Sequence, residues 1–225
     1  MLSNKPLYVA MVGLAFATIT GCGATRVPLR YDYPRPRLNP DGPVIACRGT
    51  EDRRTDRQID EVLDGGSVTA VDKAIQEEVA SVGVAQKVMP LPSFPGLSKQ
   101  ELIDKGVSVV VEPALERMAW EVPDYDQIWA TTLVVSILTG GIGGLIYTST
   151  PTEVYGHTKL TVRIVDVTSG REVTKTYAGS SQERMAKLSS DRAETRSRMV
   201  AQALNSTMQE FRTDLAEFVG KPASP

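Results

Sequence analysis

The chain has 225 residues, of which 41% are hydrophobic and 23% are charged, and its formal net charge is −2. This is the composition of an ordinary globular domain, and it excludes a collagen-like or disulfide-dense chain. The near-zero net charge disfavours nucleic-acid binding, which usually needs an excess of basic residues. One His and two Cys leave little material for a metal site, and we predict none.

The first 21 residues have the layout of a secretory signal peptide. Lys5 is the only charged residue before an apolar run over residues 7–19. This run has the length of a signal-peptide core and is shorter than the ~20 apolar residues of a transmembrane helix. We therefore expect residues 1–21 to be a leader that is removed.

The leader ends in Ile19-Thr20-Gly21-Cys22, which resembles the lipobox of bacterial lipoproteins. The resemblance implies cleavage before Cys22, diacylglycerol on its thiol and an acyl chain such as palmitate on its new amine. Gly23 follows the cysteine, and the Asp linked to inner-membrane retention in enteric bacteria does not occur there. The resemblance therefore implies an anchor in the outer membrane of a Gram-negative cell, facing the periplasm. These lipid chains are the only non-protein groups that we expect.

The segment after the lipobox is rich in proline. Residues 23–43 contain five prolines and show no hydrophobic periodicity. Such a composition favours a semi-extended, solvated chain, so we interpret residues 22–42 as the lipidated cysteine and a tether. Cys47 follows in the apolar stretch 44–47 and is predicted to be a small buried core residue. With Cys22 lipidated, an intramolecular disulfide is excluded.

A strand, a charged loop and a helix come next. The apolar stretch 43–48 predicts a short buried strand, and residues 67–82 carry Val and Ile at helical spacing, with Gly83 at the C-terminal cap. Between them lies a loop whose acidic residues alternate with arginines, a pattern typical of a solvated surface. The charged residues are Asp52, Arg53, Arg54, Asp56, Arg57, Asp60 and Glu61.

A second strand and a short helix follow. Residues 84–89 read as a strand, and Ser98 with Glu101 form a capping box for a helix that ends at Gly106. A long strand is then predicted over residues 107–120, with a bulge or an edge position at Pro113.

The C-terminal third predicts a hairpin and a long helix. Residues 154–167 alternate between apolar and polar, and the turn 168–171 returns the chain into the strand 172–180. The last helix is predicted over residues 191–219, capped by Ser190 and ended by Gly220. Its buried stripe consists of Val200, Ala203, Leu204, Thr207, Phe211, Leu215 and Phe218.

The predicted fold is α/β (α+β), in the order β-α-β-(α)-β-insert-β-β-α, with a small mixed sheet and helices packed on it. We place this periplasmic module at residues 43–220, with an apolar insert at 127–152 between the third and fourth strands. Residues 221–225 are expected to be a disordered tail.

Four segments of the module resemble small bacterial envelope lipoproteins. VIACRGTEDRRTD and AVDKAIQEEVASVGV are similar to the opening strand and helix of YajG-type lipoproteins. VSVVVEPALERMAWEV and YGHTKLTVRIVDVTSGREVTKTYAGS resemble the long strand and the hairpin of the curli secretion lipoprotein family, CsgG. The resemblance implies a non-catalytic protein. It is either an accessory lipoprotein, as in the first family, or a subunit of an oligomeric outer-membrane pore, as in the second.

The insert contains no charged residue between Asp126 and Glu153. Residues 128–147 are long enough for a membrane span, but their four glycines disfavour a helix. The alternatives are an apolar hairpin that projects from the sheet and a buried segment that covers it. A projection would dock on a partner or the bilayer. Its docking side chains would be Ile128, Trp129, Leu133, Val134, Val135, Ile137, Leu138, Ile142, Leu145 and Ile146.

Motifs of catalysis and nucleotide binding do not occur in the sequence. The cluster GGIGG does not have the Lys-Ser/Thr of a P-loop, and GxSxG, HExxH and CxxC do not occur. His157, the only histidine, lies near the insert and is predicted to be structural. We therefore expect a protein that is not an enzyme and has no small-molecule substrate. We expect it to associate with the membrane and with other envelope proteins, and we leave a homo-oligomer open. A secretion or transport pore of the curli type is the alternative function.

Overall fold

The computed structural model of the protein describes residues 26–92, 97–123, 125–190 and 192–220. The strands are β1 (Val44–Arg48), β2 (Glu51–Asp52), β3 (Lys87–Leu91), β4 (Val109–Glu121), β5 (Pro151–Asp166) and β6 (Glu172–Ala186). The helices are α1 (Gly66–Ser81), α2 (Lys99–Asp104), α3 (Tyr125–Leu138), α4 (Ile142–Ser149), α5 (Lys187–Ser190) and α6 (Ala193–Gly220), with a 3₁₀ turn at Gln58–Glu61. The α/β class and the order of the main elements are as predicted, whereas β2, the 3₁₀ turn and α5 were not predicted.

The six strands form one mixed sheet in the order β3-β1-β4-β5-β6, and β2 also pairs with β4. β1 runs parallel to both β3 and β4, whereas β4, β5 and β6 are antiparallel neighbours. β3 starts three residues later than the predicted strand 84–89 and includes Pro90. Proline is tolerated there because β3 is the last strand of the sheet and need not donate on its outer side.

One face of the sheet holds the core, beneath α1 and α6. The predicted alternation along β5 is confirmed, since Leu160, Val162 and Ile164 are buried in this core. The predicted stripe of α6 is buried as well. The helix packs on the strand because each has one apolar face that is removed from water. This face is the wide stripe of the helix and every second residue of the strand.

The opposite face is covered by α2 at one end and is otherwise open and polar. Ion pairs run across it from strand to strand: Arg48 to Glu112 at 2.8 Å, Glu112 to Arg163 at 2.9 Å, and Arg163 to Glu172. Opposite charges on adjacent strands stabilise a solvated sheet face.

β4 carries a bulge at Glu116, three residues beyond the predicted position. Its register with β5 shifts between Leu115 and Arg117, so that Leu115 and Met118 both point into the core. The extra residue explains why the second half of this strand alternates imperfectly. Pro113 lies where the partner of β4 changes from β1 to β2.

The proline-rich segment differs from the solvated tether that its composition predicts. Val27, Leu29 and Tyr31 are buried, and Val27 exchanges backbone hydrogen bonds with Val62 and Asp64. The solvated-tether interpretation therefore does not hold for residues 27–31, whereas residues 35–38 are exposed. The alternation of Val27, Leu29 and Tyr31 is an extended pattern with one apolar side, which the prolines obscure.

The charged loop is only partly a solvated surface. The side chain of Arg54 is 1% exposed and pairs with Asp52 at 2.8 Å and with Asp60 at 2.9 Å. Asp60 also accepts hydrogen bonds from the backbone and hydroxyl of Ser67, and so caps α1 from outside the helix. A solvated loop was therefore the wrong prediction for Arg54. Arg57, by contrast, is exposed.

Cys47 is buried, as predicted, and its thiol is free. The predicted leader, the lipobox residues Ile19, Thr20 and Gly21, the lipidated Cys22 and the tail 221–225 lie outside the described residues.

Candidate functional site

The insert between β4 and β5 is a helical hairpin. α3 and α4 pack against each other and are joined by Thr139, Gly140 and Gly141. Within the described ranges, no helix is both long and apolar enough to cross a membrane. Of the three interpretations of the sequence, the projecting hairpin describes the structure. Its two arms are helices, contrary to the expectation that the four glycines disfavour a helix.

The hairpin exposes large apolar side chains, most of all at its tip. Ile137, Leu138 and Ile142 are 68–77% exposed, and Leu133 and Val134 are 54–58% exposed. Val135 is half-buried and faces α4 beside Gly143. The other predicted docking side chains, those of Ile128, Trp129, Leu145 and Ile146, lie outside the described part of the hairpin.

The glycine cluster shapes the hairpin. Gly140 and Gly141 have φ values of 63° and 99°, which an L-residue rarely adopts, and so they permit the tight turn. A Cβ on Gly143 would lie 2.7 Å from Val135, and one on Gly144 would overlap the side chain of Ser136. The four glycines therefore make the turn and bring the two helices close together.

Thr139 satisfies the backbone at the tip. Its hydroxyl donates to the carbonyl of Val135 at 2.6 Å and accepts from the amide of Gly143 at 2.8 Å. The amide of Gly141 donates to the carbonyl of Ser136 at 2.8 Å. Backbone N–H and C=O groups at helix ends often have no hydrogen-bond partner. The groups named here at the end of α3 and the start of α4 are paired inside the hairpin.

Aromatic and cationic side chains surround the base of the hairpin. The ammonium of Lys187 lies 3.6 Å from the ring centre of Tyr147, and the guanidinium of Arg196 lies 4.2 Å from that of Trp120. We call Trp120, Tyr147, Lys187 and Arg196 the collar. Beneath it, Val122, Val154 and Met199 form a small apolar cluster that fixes the hairpin to the domain.

An open cleft of about 740 Å³ lies beside the collar. Its wall includes His157, whose ring is parallel to that of Tyr155 and whose Nε2 lies 3.5 Å from Glu121. The cleft combines residues of β4, β5, α6 and the 3₁₀ turn. Sequence spacing gave no signal for it, because these elements meet only in the folded chain.

Metal-ligand clusters and a cysteine thiol are further kinds of reactive site. Among the described residues, no three His, Cys, Asp or Glu side chains are placed to hold a metal ion. Burial, followed by the charge of Asp72, raises the pKa of the Cys47 thiol to about 12, so this cysteine stays protonated.

The N-terminal segment enters the domain at the same end as the hairpin. The amide of Arg30 donates to the hydroxyl of Ser197 at 3.0 Å, and this hydroxyl donates to the carbonyl of Pro28 at 2.8 Å. Ser197 is the next residue after Arg196, which stacks on Trp120 at the hairpin base. The first described residues and the apolar hairpin therefore flank the same half of α6.

Comparisons with known proteins give similarities of fold. No protein-family model and no curated protein sequence matches the chain. The PelC dodecamer from Paraburkholderia phytofirmans is 12% identical over 78% of this chain and 93% of its own, with a TM-score of 0.39. Lipoprotein GNA1162 from Neisseria meningitidis is 10% identical over 76% and 99%, with a TM-score of 0.34. A neuraminyllactose-binding hemagglutinin homolog from Helicobacter pylori is 9% identical over 87% and 93%, with a TM-score of 0.47. At these values the likeness, which includes bacterial lipoproteins, concerns the fold alone.

Proposed function

We propose that the protein is a non-catalytic lipoprotein of the outer membrane that serves as an accessory or assembly module of the cell envelope. Cys22 carries the lipid anchor, and the domain faces the periplasm. The hairpin is the docking element. The observation that carries the proposal is the exposure of its apolar tip.

The exposed area is large enough to drive an association. Fully burying a Leu, Ile or Val side chain is worth about 1.5–3 kcal/mol, so five such side chains that are roughly two-thirds exposed offer about 5–10 kcal/mol. Part of this is lost in ordering the bound state. A contiguous apolar projection of this kind usually marks a contact with a partner or a lipid surface.

The hairpin can be separated from the core that holds the fold. Its only described apolar anchorage is the cluster of Val122, Val154 and Met199 near Tyr147, whereas the main core lies between the sheet, α1 and α6. Replacing residues 131–144 with a short glycine–serine link keeps Tyr147 and this cluster. The shortened chain should therefore fold.

The test separates attachment through the lipid anchor from attachment through the hairpin. A protease site is placed between Cys22 and Arg26, ahead of the buried Val27, and isolated outer membranes are treated with the protease. The intact domain should stay with the membranes through its hairpin, and the shortened domain should be released. Incorporation of a labelled fatty acid into the wild type, and none into the Cys22→Ser variant, checks the anchor.

Two outcomes contradict the proposal. If the shortened chain does not fold, the hairpin is part of the core. If the intact and shortened domains are released equally, the hairpin has no docking role.

A further inference from the structure

The hairpin surface has the properties of a membrane-inserting element rather than of a protein-binding helix. We propose that its occupant is a lipid bilayer, and that the tip formed by Ile137, Leu138 and Ile142 inserts into the interfacial region of the leaflet that holds Cys22. This inference rests on the proposed function and names the docking partner.

The outward-facing arc of α3 is apolar. Leu133, Val134, Val135, Ile137 and Leu138 together span an arc of about 200°, at about 100° per residue. Ser136 and Thr139 lie on the remaining arc and face Gly144 and Gly143 of α4. A helix that docks in a protein groove usually has one apolar and one polar face. In the hairpin, the polar stripe of α3 faces α4 instead of water, so the arc that stays exposed is apolar. Lipid supplies apolar surroundings over the whole of such an arc.

The tip has few polar groups to leave unsatisfied in lipid. Thr139 pairs with the carbonyl of Val135 and the amide of Gly143, and Gly141 pairs with Ser136. Unpaired backbone groups are costly in a bilayer, where water cannot replace the hydrogen bond. The internal pairing of the turn removes part of this cost.

The collar is placed where the headgroups would be. From Leu133 to Leu138, α3 rises about 8 Å, which is within the ~5–10 Å that interfacial helices penetrate. Behind this stretch, Tyr147 with Lys187 and Trp120 with Arg196 present aromatic rings and cations. Aromatic residues are enriched at membrane interfaces, and cations favour anionic lipid.

The anchor lies within reach of the same leaflet. Val27 is buried in the domain and lies five Cα-to-Cα steps from Cys22, a span of at most about 18 Å. The segment enters beside Ser197, at the end of the domain that carries the hairpin. The short link to Cys22 therefore holds the hairpin close to the leaflet that carries the anchor. A protein partner far from this leaflet would be out of its reach.

The experiment measures the depth of the tip in vesicles. Acylated protein with Ile137→Cys is labelled with an environment-sensitive fluorophore and reconstituted in vesicles of phosphatidylethanolamine and phosphatidylglycerol. The lipid blocks Cys22, and Cys47 is buried, so the label reaches the new thiol. Leu38→Cys is the matched control, because Leu38 is 55% exposed and lies beside the C-terminal end of α1.

We expect blue-shifted emission at position 137 and quenching by nitroxide-labelled acyl chains that is several-fold stronger than at position 38. A second variant, Leu133→Cys, should be quenched to an intermediate extent. Equal, water-like emission at positions 137 and 38 overturns the inference. Blue-shifted emission without lipid quenching also overturns it, because a protein or a second copy then covers the tip. In both cases, flotation of the acylated protein with the vesicles shows whether the anchor of the proposed function still holds.

Discussion

Replacing Arg54 with Met should reveal how much the buried ion pairs of the charged loop contribute to stability. The side chain of Arg54 is 1% exposed and pairs with Asp52 and Asp60. Removing one partner of a buried pair typically costs 3–5 kcal/mol. Both carboxylates here keep some contact with water, and Met fills most of the vacated space. We therefore expect a loss of about 2–3 kcal/mol in the free energy of unfolding.

The loss should depend on pH. The hydrogen bond from Arg54 lowers the pKa of Asp52. Burial alone would raise the pKa of Asp60, but hydrogen bonds from Arg54 and Ser67 outweigh it, and the pKa falls below its ordinary value of 3.8. A lowered pKa in the folded state stabilises the fold above the ordinary pKa and less as the pH falls through the folded-state value. The difference between wild type and variant should therefore be largest near neutral pH and shrink in acid.

Urea titrations followed by circular dichroism at neutral and acidic pH provide the assay. Arg57→Met is the matched control, because Arg57 also approaches Asp52, at 3.3 Å, but is 63% exposed. Its loss should stay below about 0.5 kcal/mol. Equal losses in the two variants, or a loss for Arg54→Met that does not change with pH, would refute the reasoning.

Three further predictions concern the core. Cys47 should not react with thiol reagents in the folded protein and should react once on unfolding, because burial raises its pKa to about 12; fast labelling of the native state would contradict this. Gly179→Ala should cost about 2–3 kcal/mol by urea titration, because a Cβ there would overlap the backbone of α6. Gly220→Ala, which has open space around it, is the control and should cost almost nothing. Tyr31→Phe should cost about 1–3 kcal/mol, because it removes the hydroxyl that donates to the buried Glu78, and unchanged stability would show that this hydrogen bond does not support the fold.

Local signals predicted the regular elements of the sheet domain well. The capping box of Ser98 and Glu101 is formed, and Gly83 and Gly106 adopt positive φ at the ends of α1 and α2. β5 alternates as predicted because one of its faces is buried and the other is solvated. These features depend on neighbours in sequence, so the sequence alone reports them.

The failures share a different cause. Burial of the segment around Tyr31 depends on partners far along the chain, such as Glu78. Arg54 pairs with Asp52 and Asp60 nearby in sequence, but the alternating charges do not indicate which arginine of the loop is buried. Composition describes a proline-rich or charged stretch as solvated and carries no information about such partners. The sequence left the conformation of the insert open for a related reason. Gly143 and Gly144 allow close packing of α4 on α3, and this contact exists only in the folded hairpin.

The most direct test of the account is site-specific photo-cross-linking in intact cells. A diazirine amino acid replaces Leu138 at the tip or Leu38 at the opposite end, in the full acylated chain. We predict phospholipid adducts from position 138 and none from position 38. Identical products at the two positions, or no adduct with lipid or protein at position 138, would contradict the claim that the apolar hairpin docks this domain.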